Sequence, residues 1–487
     1  DRASTAATEA VLGKISVFAR AEPQAEDPIL GMRDMFLADP ATNKLNLAVG
    51  VYRTEEGKPL VLKCVQEAEA TMLEEQKKGK TFKEYLPQDG MSSFCSASLK
   101  LLYGDAITPA LEEGRVAVAQ SISGTGGLYL AARMIEQLMP GATVHVPSPT
   151  WPIHPDIFTS VGLRVAYYPY YDADTCGLDF EGMARYLRAL PTGSVVLLHA
   201  CAHNPTGVDP SDEQWGAISK AILAKGHHVL MDCAYQGFAS GDAEKDAFSI
   251  RKFLDDGHSL LLAQSFAKNF GLYGERVGTL SVVCADKAEA GRVLSQLKLI
   301  IRPMYSSPPI HGALIVSEVL GDAPLRKQYY GECAAMAERI GAMRTTLRTE
   351  IEAAGSTHDW THVTDQIGMF AFTGMTAEMC DVLTDEYNIF LTKDGVPVLG
   401  ADGRLATSRP AAWRMAAPAE NPAENGDATD AATTQGEPVE PRDMTGRTAI
   451  AVPQGSTLTL RVANDPPSRR RSTRYTDGAR ASPGRRK

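Results

Sequence analysis

The chain is organised around the stretch SFAKNFGLYGERVG at residues 265–278. The apolar run LLLA at 260–263 precedes it and predicts a buried strand. Lys268 therefore lies on a loop at the C-terminal end of a strand, where open α/β sheets bind their ligands. Phe266 and Phe270 flank this lysine and favour its desolvation, which lowers a lysine pKa and leaves a neutral amine that can form a Schiff base with a carbonyl. Taken alone, Lys268 could equally be a surface residue.

The sequence around this stretch repeats a pattern of strand, loop and helix from residue 115 onwards. Strands are predicted at 116–120, 143–146, 164–168, 195–200, 228–232, 260–264 and 279–283. Strands this apolar and this regularly interleaved with helices predict a mainly parallel sheet that is covered on both faces. The expected fold class is therefore α/β, with a large three-layer α/β/α domain.

The chain divides into four expected parts. Residues 1–59 form an N-terminal arm and part of a small domain, and residues 60–325 form the large domain, which contains Lys268. Residues 326–395 form the rest of a smaller α+β domain, with a long helix at 325–354 and strands at 366–372 and 389–392. From residue 396 to residue 487 the sequence is rich in Pro, Ala, Asp and Arg, which predicts a disordered tail.

Composition argues against several classes of function. The 487 residues are 44% hydrophobic and carry a formal net charge of -10, which argues against a general nucleic-acid surface. The longest apolar runs are far shorter than the ~20 residues of a membrane-spanning helix. Eight cysteines without a C-x-x-C pair predict reduced thiols in an intracellular enzyme and no metal site. The chain begins at Asp1, so we expect a missing transit peptide and leave the compartment open.

Polar residues that suit an anion follow the predicted strands. Ser123-Gly124-Thr125 opens a helix, where backbone N–H groups, hydroxyls and the helix dipole can bind a phosphate. Ser265 and Arg276 could hold an anion beside Lys268. The glycine spacing fits neither a dinucleotide-binding fingerprint nor a P-loop, and a glycine turn without a ligand is the simpler interpretation of this motif alone.

Further residues suit an aromatic cofactor ring. Asp232 ends the strand at 228–232, and a carboxylate there could keep a pyridine nitrogen protonated so that the ring withdraws electrons. Tyr235 and Asn204 are placed to contact the phenolic oxygen of such a ring. Trp151 could stack on the ring and His154 could support Asp232 from behind. Taken singly, Asp232 could be a helix cap and Trp151 a core residue.

With these motifs the chain resembles the aspartate aminotransferases, which are class I pyridoxal-phosphate-dependent enzymes of fold type I. The resemblance runs from about residue 27 to residue 395, and residues 265–278 are its most specific part. It is supported by the motifs at 85–87, 121–125, 148–151, 203–207 and 302–309. The resemblance implies transamination between L-aspartate and 2-oxoglutarate, pyridoxal 5'-phosphate as cofactor and a homodimer with shared active sites.

The resemblance also implies roles for individual residues. The implied catalytic residues are Lys268, Asp232, Tyr235 and Tyr85. The implied cofactor contacts are Ser123, Gly124, Thr125, Trp151, His154, Asn204, Asp232, Tyr235, Ser265, Lys268, Arg276 and, from the other subunit, Tyr85. The implied substrate contacts are Gly50, Trp151, Asn204 and, again from the other subunit, Arg302, whose planar fork suits a carboxylate.

The sequence departs from the family after Gly395. The family continues from Thr-Lys-Asp-Gly into an arginine that binds the substrate α-carboxylate, whereas Val396 stands here and Arg404 is the nearest substitute. Two alternatives therefore stay open beside aspartate transamination. One is an aromatic amino acid aminotransferase, and the other is a catalytically impaired homologue, splice product or gene-model variant that binds cofactor and dimerises.

Overall fold

A seven-stranded sheet forms the centre of the computed structural model, which describes residues 17–23, 27–80 and 83–399. In the described residues the strands are β1 (Leu45–Asn46), β2 (Val116–Ile122), β3 (Thr143–Ser148), β4 (Arg164–Pro169), β5 (Tyr171–Asp172), β6 (Gly177–Leu178), β7 (Val195–His199), β8 (His228–Cys233), β9 (Leu260–Ser265), β10 (Val277–Val283) and β11 (Ile389–Phe390). The order in the large sheet is β2-β10-β9-β8-β7-β3-β4. All seven of its strands were predicted from sequence to within two residues at either end.

The large sheet is parallel except for β10, which runs antiparallel to both of its neighbours. Because β10 begins at the edge where β2 and β9 end, the residue before it, Arg276, joins the residues that follow those two strands. The register pairs Val277 with Ile122 and Gly278 with Ser265. One edge of the sheet therefore collects side chains from distant parts of the sequence.

Helices cover both faces of the sheet. In the described residues the α-helices are α1 (Pro28–Ala38), α2 (Lys63–Lys77), α3 (Ser92–Tyr103), α4 (Thr108–Glu112), α5 (Ser123–Leu138), α6 (Ile153–Ser160), α7 (Phe180–Ala189), α8 (Asp212–Lys225), α9 (Phe248–Asp255), α10 (Lys287–Met304), α11 (His311–Gly321), α12 (Ala323–Ala353), α13 (Thr361–Asp365) and α14 (Ala377–Tyr387). Short 3-10 helices lie at Val17–Arg20 and Gly104–Ile107.

The side chains of β7 show how the three layers are packed. Val196 and Leu198 pack with residues of α3, α7, α8 and α9, whereas Val195 and Leu197 pack with residues of α5, α6 and α10. Adjacent side chains of a strand point to opposite faces, so these two clusters lie on opposite sides of the sheet. The predicted α/β class with helices on both faces is confirmed.

A smaller group of elements joins the two ends of the described chain. β1 pairs in parallel with β11, and Leu45 lies opposite Ile389. Val398 donates its N–H to Leu47 O at 2.9 Å, and Leu399 donates to Met369 O at 2.7 Å. All described residues fall in one compact unit, and the division into domains at 60–325 and 326–395 stays a prediction.

The predicted start of a disordered tail at residue 396 is wrong for its first four residues. Val396 is 5% exposed, Val398 is 1% exposed and Leu399 is fully buried. Their apolar side chains pack with the smaller group of elements. The prediction missed this packing because it averaged the composition of all residues from 396 to 487. From residue 400 onwards the predicted tail lies outside the described residues.

The predicted strand at 366–372 is also wrong, since it contributes only an isolated bridge between Phe370 and Val398. The cause is Arg344 of α12, which is 3% exposed. Its guanidinium donates to Val363 O and Gly368 O, each at 2.8 Å, and to Phe370 O. These carbonyl groups therefore pair with a side chain instead of a neighbouring strand, and burial lowers the pKa of Arg344 to about 9.

In the part of the chain that the structure describes, no helix combines the length and the apolar character needed to cross a membrane. All eight cysteines are free thiols, and seven of them are buried. No group of three or more His, Cys, Asp or Glu side chains among the described residues is arranged to hold a metal ion.

Replacing Arg344 with methionine should destabilise the protein by about 3 kcal/mol, because three buried carbonyl groups lose their donor. Urea unfolding of the cofactor-free protein measures this loss. The control is Arg348→Met on the same helix. The Arg348 guanidinium forms an ion pair with Glu352 at an exposed position, so its loss should lower the free energy of unfolding by less. Equal losses for the two variants would show that Arg344 does not brace these carbonyl groups.

Candidate active site

A cleft lies at the edge of the sheet where β2, β8 and β9 end. Ten residues singled out in the sequence line it: Ser123, Gly124, Thr125, Trp151, Asn204, Asp232, Tyr235, Ser265, Lys268 and Arg276. These residues come from five separate segments of the chain, and the structure brings all ten together. Ligand sites of open α/β sheets lie at this edge.

One end of the cleft is built from hydroxyl groups, backbone N–H groups and a guanidinium. The hydroxyl oxygens of Ser123 and Ser265 lie 3.0 Å apart, and Ser123 N donates to Arg276 O at 3.2 Å. Ser123 is the first residue of the 16-residue helix α5, so the positive end of the helix dipole lies here. This end of the cleft is suited to a phosphate group.

The close approach of these segments requires a glycine at position 278. A Cβ atom at Gly278 would lie 2.4 Å from Gln264 O and 2.6 Å from the carbonyl carbon of Ser123. Any side chain there would push β10 away from β9 and from the start of α5. Gly278 therefore keeps Arg276, two residues earlier, beside the two serines.

Lys268 occupies the loop after β9, and its Nζ lies 5.6 Å from the ring centroid of Tyr235. Burial lowers the pKa of Lys268, Asp232 partly offsets this effect, and the nearby charge of Arg276 lowers the pKa further. Phe266 and Phe270, which were expected to desolvate the amine, are fully buried core residues that pack edge to face on each other. The aromatic ring that lies by the amine is that of Tyr235.

A chain of hydrogen bonds supports Asp232. Asp232 Oδ2 lies 3.1 Å from His154 Nε2, and His154 Nδ1 lies 2.8 Å from Thr150 Oγ1. The same hydroxyl lies 3.1 Å from His199 Nε2, and His199 Nδ1 lies 3.2 Å from the backbone nitrogen of Asn204. The order of these contacts fixes which atom donates at each step.

The direction of the chain follows from its far end. The backbone N–H of Asn204 can only donate, so His199 Nδ1 accepts. Burial, with His154 nearby, lowers the pKa of His199 to about 3, so its neutral ring carries the proton on Nε2 and donates to Thr150. The Thr150 hydroxyl then donates to His154 Nδ1, which leaves His154 Nε2–H as the donor to Asp232.

This support keeps Asp232 ionised. Burial by itself would raise the pKa of this carboxyl group. The hydrogen bond from His154, with smaller contributions from the neighbouring imidazoles and Lys268, outweighs burial, and the pKa of Asp232 lies below its ordinary value. An anion is thus held at the end of β8, facing the cleft that also contains the Lys268 amine.

Aromatic and amide groups line the rest of the cleft. Asn204 Nδ2 donates to the Tyr235 hydroxyl at 3.3 Å, and burial raises the pKa of Tyr235. The Tyr235 ring packs edge to face on Phe370, with 5.7 Å between centroids. Trp151 packs perpendicular to His154, with 5.2 Å between centroids, and is half-buried. An exposed indole face is therefore available for a flat ligand.

A model of the family described as "Aminotransferase class I and II" matches residues 42–417, which is more than half of the chain. The chain belongs to this family. The family predicted from residues 265–278 is thereby confirmed, and the protein is an aminotransferase. The match extends past Gly395 to residue 417, and the departure from the family pattern at Val396 stays a prediction.

Individual relatives cover most of the chain. The mitochondrial aspartate aminotransferase of Arabidopsis thaliana is 49% identical over 374 residues, 77% of this chain and 86% of that protein. The cytoplasmic aspartate aminotransferase of Oryza sativa subsp. japonica is 48% identical over 390 residues, 80% of this chain and 95% of that protein. The crystal structure of the aromatic-amino-acid aminotransferase from Burkholderia pseudomallei, covalently bound to pyridoxal phosphate, is similar with a TM-score of 0.79 and 40% identity, covering 83% of this chain and all of that one.

Four described residues that were predicted for the aminotransferase site, Gly50, Tyr85, His154 and Arg302, do not line this cleft, and His154 lies behind Asp232 instead. Tyr85 is 85% exposed, and Arg302 is an exposed residue whose guanidinium donates to Ser306 Oγ at 2.6 Å. Gly50 lies under Phe370, where an added Cβ would be 3.4 Å from the ring. Arg404 lies inside the family match but outside the described residues. Within one chain, the cleft therefore has cofactor-type groups but no substrate-binding arginine among the described residues that line it.

Two residues that the sequence did not reveal as functional are Thr150 and His199. Both lie behind His154, and neither lines the cleft. Thr150 belongs to a stretch that was singled out for Trp151 and His154 and not for its threonine. His199 ends β7 and pairs in register with Asp232 on β8. A correct prediction of this strand pairing would therefore have identified His199 as a neighbour of Asp232.

His199 should make the stability of the apoprotein depend on pH. Its folded pKa of about 3 lies below the ordinary value of 6.5, so the unfolded chain binds one more proton between these values. The contribution is complete above pH 6.5 and is lost as the pH falls, by about 1.4 kcal/mol per pH unit. His199→Asn, which keeps an acceptor for Asn204 N–H, should remove this slope from the free energy of unfolding.

Urea unfolding at a series of pH values measures the slope. The control is His228→Asn, because His228 is an exposed histidine of the same sheet. An unchanged slope in His199→Asn, or an equal change in the control, would contradict a neutral buried His199.

Proposed function

We propose that this aminotransferase exchanges an amino group between L-aspartate and 2-oxoglutarate, giving oxaloacetate and L-glutamate, with pyridoxal 5'-phosphate as cofactor. The observation that carries the proposal is a partly buried amine, Lys268, in one cleft with a supported anion, Asp232, and a phosphate-type site at Ser123. The choice of substrate is supported by the two aspartate aminotransferases that are 49% and 48% identical to the chain over 374 and 390 aligned residues.

The donor set of the cleft fits pyridoxal phosphate at three points. Asp232 is an anion that can hold a proton on a pyridine nitrogen, and the Asn204 amide with the Tyr235 hydroxyl can bind a phenolic oxygen. Ser123 and Arg276 lie at the end of the cleft that is suited to a phosphate group. When bound, this cofactor supplies an aldehyde to which amines add and a ring that withdraws electrons.

The protein's own side chains then perform three tasks. Lys268 Nζ, with its lowered pKa, provides an amine that can both bond the cofactor and carry a proton. Asp232 maintains a fixed negative charge opposite the ring nitrogen. Trp151 covers one face of the ring position and keeps water away from it.

The cofactor should be attached to Lys268. Purified protein loaded with pyridoxal phosphate should be yellow, and borohydride reduction followed by peptide mapping should place the cofactor mass on the peptide that contains Lys268. Lys268→Ala is the matched variant and should carry no stable label. A label on another lysine, or no label in the wild-type chain, would overturn the assignment.

We further propose that the enzyme is a homodimer in which each cleft is completed by Tyr85 and Arg302 of the other subunit. Both residues are exposed and neither lines the cleft of its own chain. Arg302 lies in the last turn of α10 and is exposed, so its guanidinium can reach a neighbouring molecule. A planar guanidinium on the partner would bind the distal carboxylate of a dicarboxylate substrate.

Arg302→Leu should lower kcat/KM for aspartate at least about a hundredfold, because a paired carboxylate loses its partner in a closed site. The loss for phenylalanine should be much smaller. Steady-state kinetics with both substrates measures the difference. Equal losses for the two substrates would show a structural role for Arg302. A preference of the wild-type enzyme for phenylalanine would favour the alternative hypothesis of an aromatic amino acid aminotransferase. The similarity to the Burkholderia pseudomallei structure supports that alternative.

Mixed dimers test whether Arg302 acts across subunits. In a dimer of Lys268→Ala with Arg302→Leu, one cleft would combine an intact Lys268 with the intact Arg302 of its partner. Random mixing of the two inactive variants should therefore restore about a quarter of the wild-type activity. No recovery after verified exchange of subunits would mean that Arg302 does not serve the cleft of the partner.

The substrate α-carboxylate also needs a cation. Val396 is a buried apolar residue and supplies none, so we propose Arg404 for this role. If Arg404 does not bind the α-carboxylate, the alternative is that this protein is a catalytically impaired homologue that still binds the cofactor. We also propose an intracellular location, in keeping with relatives whose names place them in mitochondria and cytoplasm.

A further inference from the structure

Asp209 lies behind the turn that presents Asn204 to the cleft. Its Oδ2 accepts the backbone N–H of Ala202 at 2.7 Å, and its Oδ1 accepts the backbone N–H of His203 at 2.9 Å. Ala202 has a φ of +47°, a left-handed conformation that residues other than glycine rarely adopt. Two successive N–H groups in such a conformation form a concave site for an anion, and the Asp209 carboxylate fills it.

The turn held by Asp209 carries two contacts of Asn204. The backbone N–H of Asn204 donates to His199 Nδ1 at 3.2 Å, and its side-chain amide donates to the Tyr235 hydroxyl at 3.3 Å. The first contact sets the direction of the hydrogen bonds that support Asp232. The second places the amide beside the expected phenolic oxygen. A rotation of the peptide groups before Asn204 would disturb both contacts.

His203, in the same turn, is held from several sides. Its ring stacks on His199 at 4.2 Å and on Tyr170 at 3.9 Å between centroids, and its Nδ1 lies 2.8 Å from Thr206 Oγ1. These ring contacts do not fix the direction of the backbone N–H groups at 202 and 203. Only the bonds to Asp209 do so, since the N–H groups have no other partner in the described residues.

We propose that Asp209 is a positioning residue for the cofactor contact of Asn204, an inference that rests on the proposed function. Its two carboxylate oxygens hold the peptide groups at 202 and 203 in the orientation from which Asn204 reaches both His199 and Tyr235. An asparagine at 209 has only one acceptor oxygen, so one of the two N–H groups would face an NH₂ group. The charge and both oxygens of Asp209 are therefore required.

The test compares Asp209→Asn, Asn204→Ala and the double variant, each loaded with pyridoxal phosphate in the absence of substrate. The first readout is the pH at which the visible absorbance band of the loaded protein is half converted. The second is the thermal midpoint of the cofactor-free protein. The control is Asp322→Ala, which removes the N-cap of α12, a carboxylate that accepts Leu325 N–H at 2.9 Å and takes no part in the turn.

Asp209→Asn should shift the spectral midpoint in the same direction as Asn204→Ala, by at least half as much. The double variant should shift by clearly less than the sum of the two single variants, because Asn204→Ala has already removed the side-chain contact and only the backbone contact to His199 is left for Asp209 to hold. Asp322→Ala should lower the thermal midpoint and leave the spectral midpoint unchanged. If Asp209→Asn does not fold, Asp209→Glu, which moves both oxygens by one methylene, should give a smaller shift in the same direction.

The inference is overturned if Asp209→Asn, or Asp209→Glu in its place, lowers the thermal midpoint but leaves the spectral midpoint at the wild-type value. Additive shifts in the double variant also overturn it, since they would mean that Asp209 acts independently of Asn204. Failure of the proposed function looks different, because the wild-type protein would then show no visible band and no label on Lys268.

Discussion

The site depends on keeping one buried carboxylate, Asp232, ionised at the end of β8. Burial disfavours the charge, and the anion persists because the hydrogen bond from His154 and the nearby charge of Lys268 stabilise it. His154 is the nearest donor, and its proton is directed through Thr150 and His199 by a backbone N–H group that cannot act in any other way. A backbone N–H group therefore orients a side chain that is four hydrogen bonds away.

The opposite end of the cleft depends on the single antiparallel strand of the large sheet. β10 starts where β2 and β9 end, which brings Arg276 to the two serines at the beginning of α5 and the end of β9. Ser123 and Ser265 are 142 residues apart in sequence, and their hydroxyl oxygens are within 3.0 Å. The anion at Asp232 and the cation at Arg276 thus line the same cleft as the Lys268 amine, and they act on its pKa in opposite directions.

Much of this architecture could be predicted from local patterns in the sequence. Apolar runs of strand length alternate with helical stretches, and this alternation is visible without knowledge of any contact. Ser123, Asp232 and Lys268 each lie at the end of a predicted strand or within four residues of it, so the rule that parallel strands end at a common edge was enough to group them. The resemblance of residues 265–278 to a known family then supplied the cofactor and the roles of these side chains.

Only the tertiary structure revealed the residues whose partners lie on other elements. Thr150 and His199 act through the pairing of β3 with β7 and of β7 with β8, and that order cannot be inferred from a single strand. The Arg344 guanidinium donates hydrogen bonds to backbone carbonyl groups that lie 19 to 26 residues later in the sequence. These contacts leave the apolar run at 366–372 without regular strand pairing. Hydrophobic periodicity shows which face of a helix or strand is apolar. The contacts of Thr150, His199 and Arg344 depend instead on how elements that are distant in sequence pack together, and the hydrophobic pattern does not encode that packing.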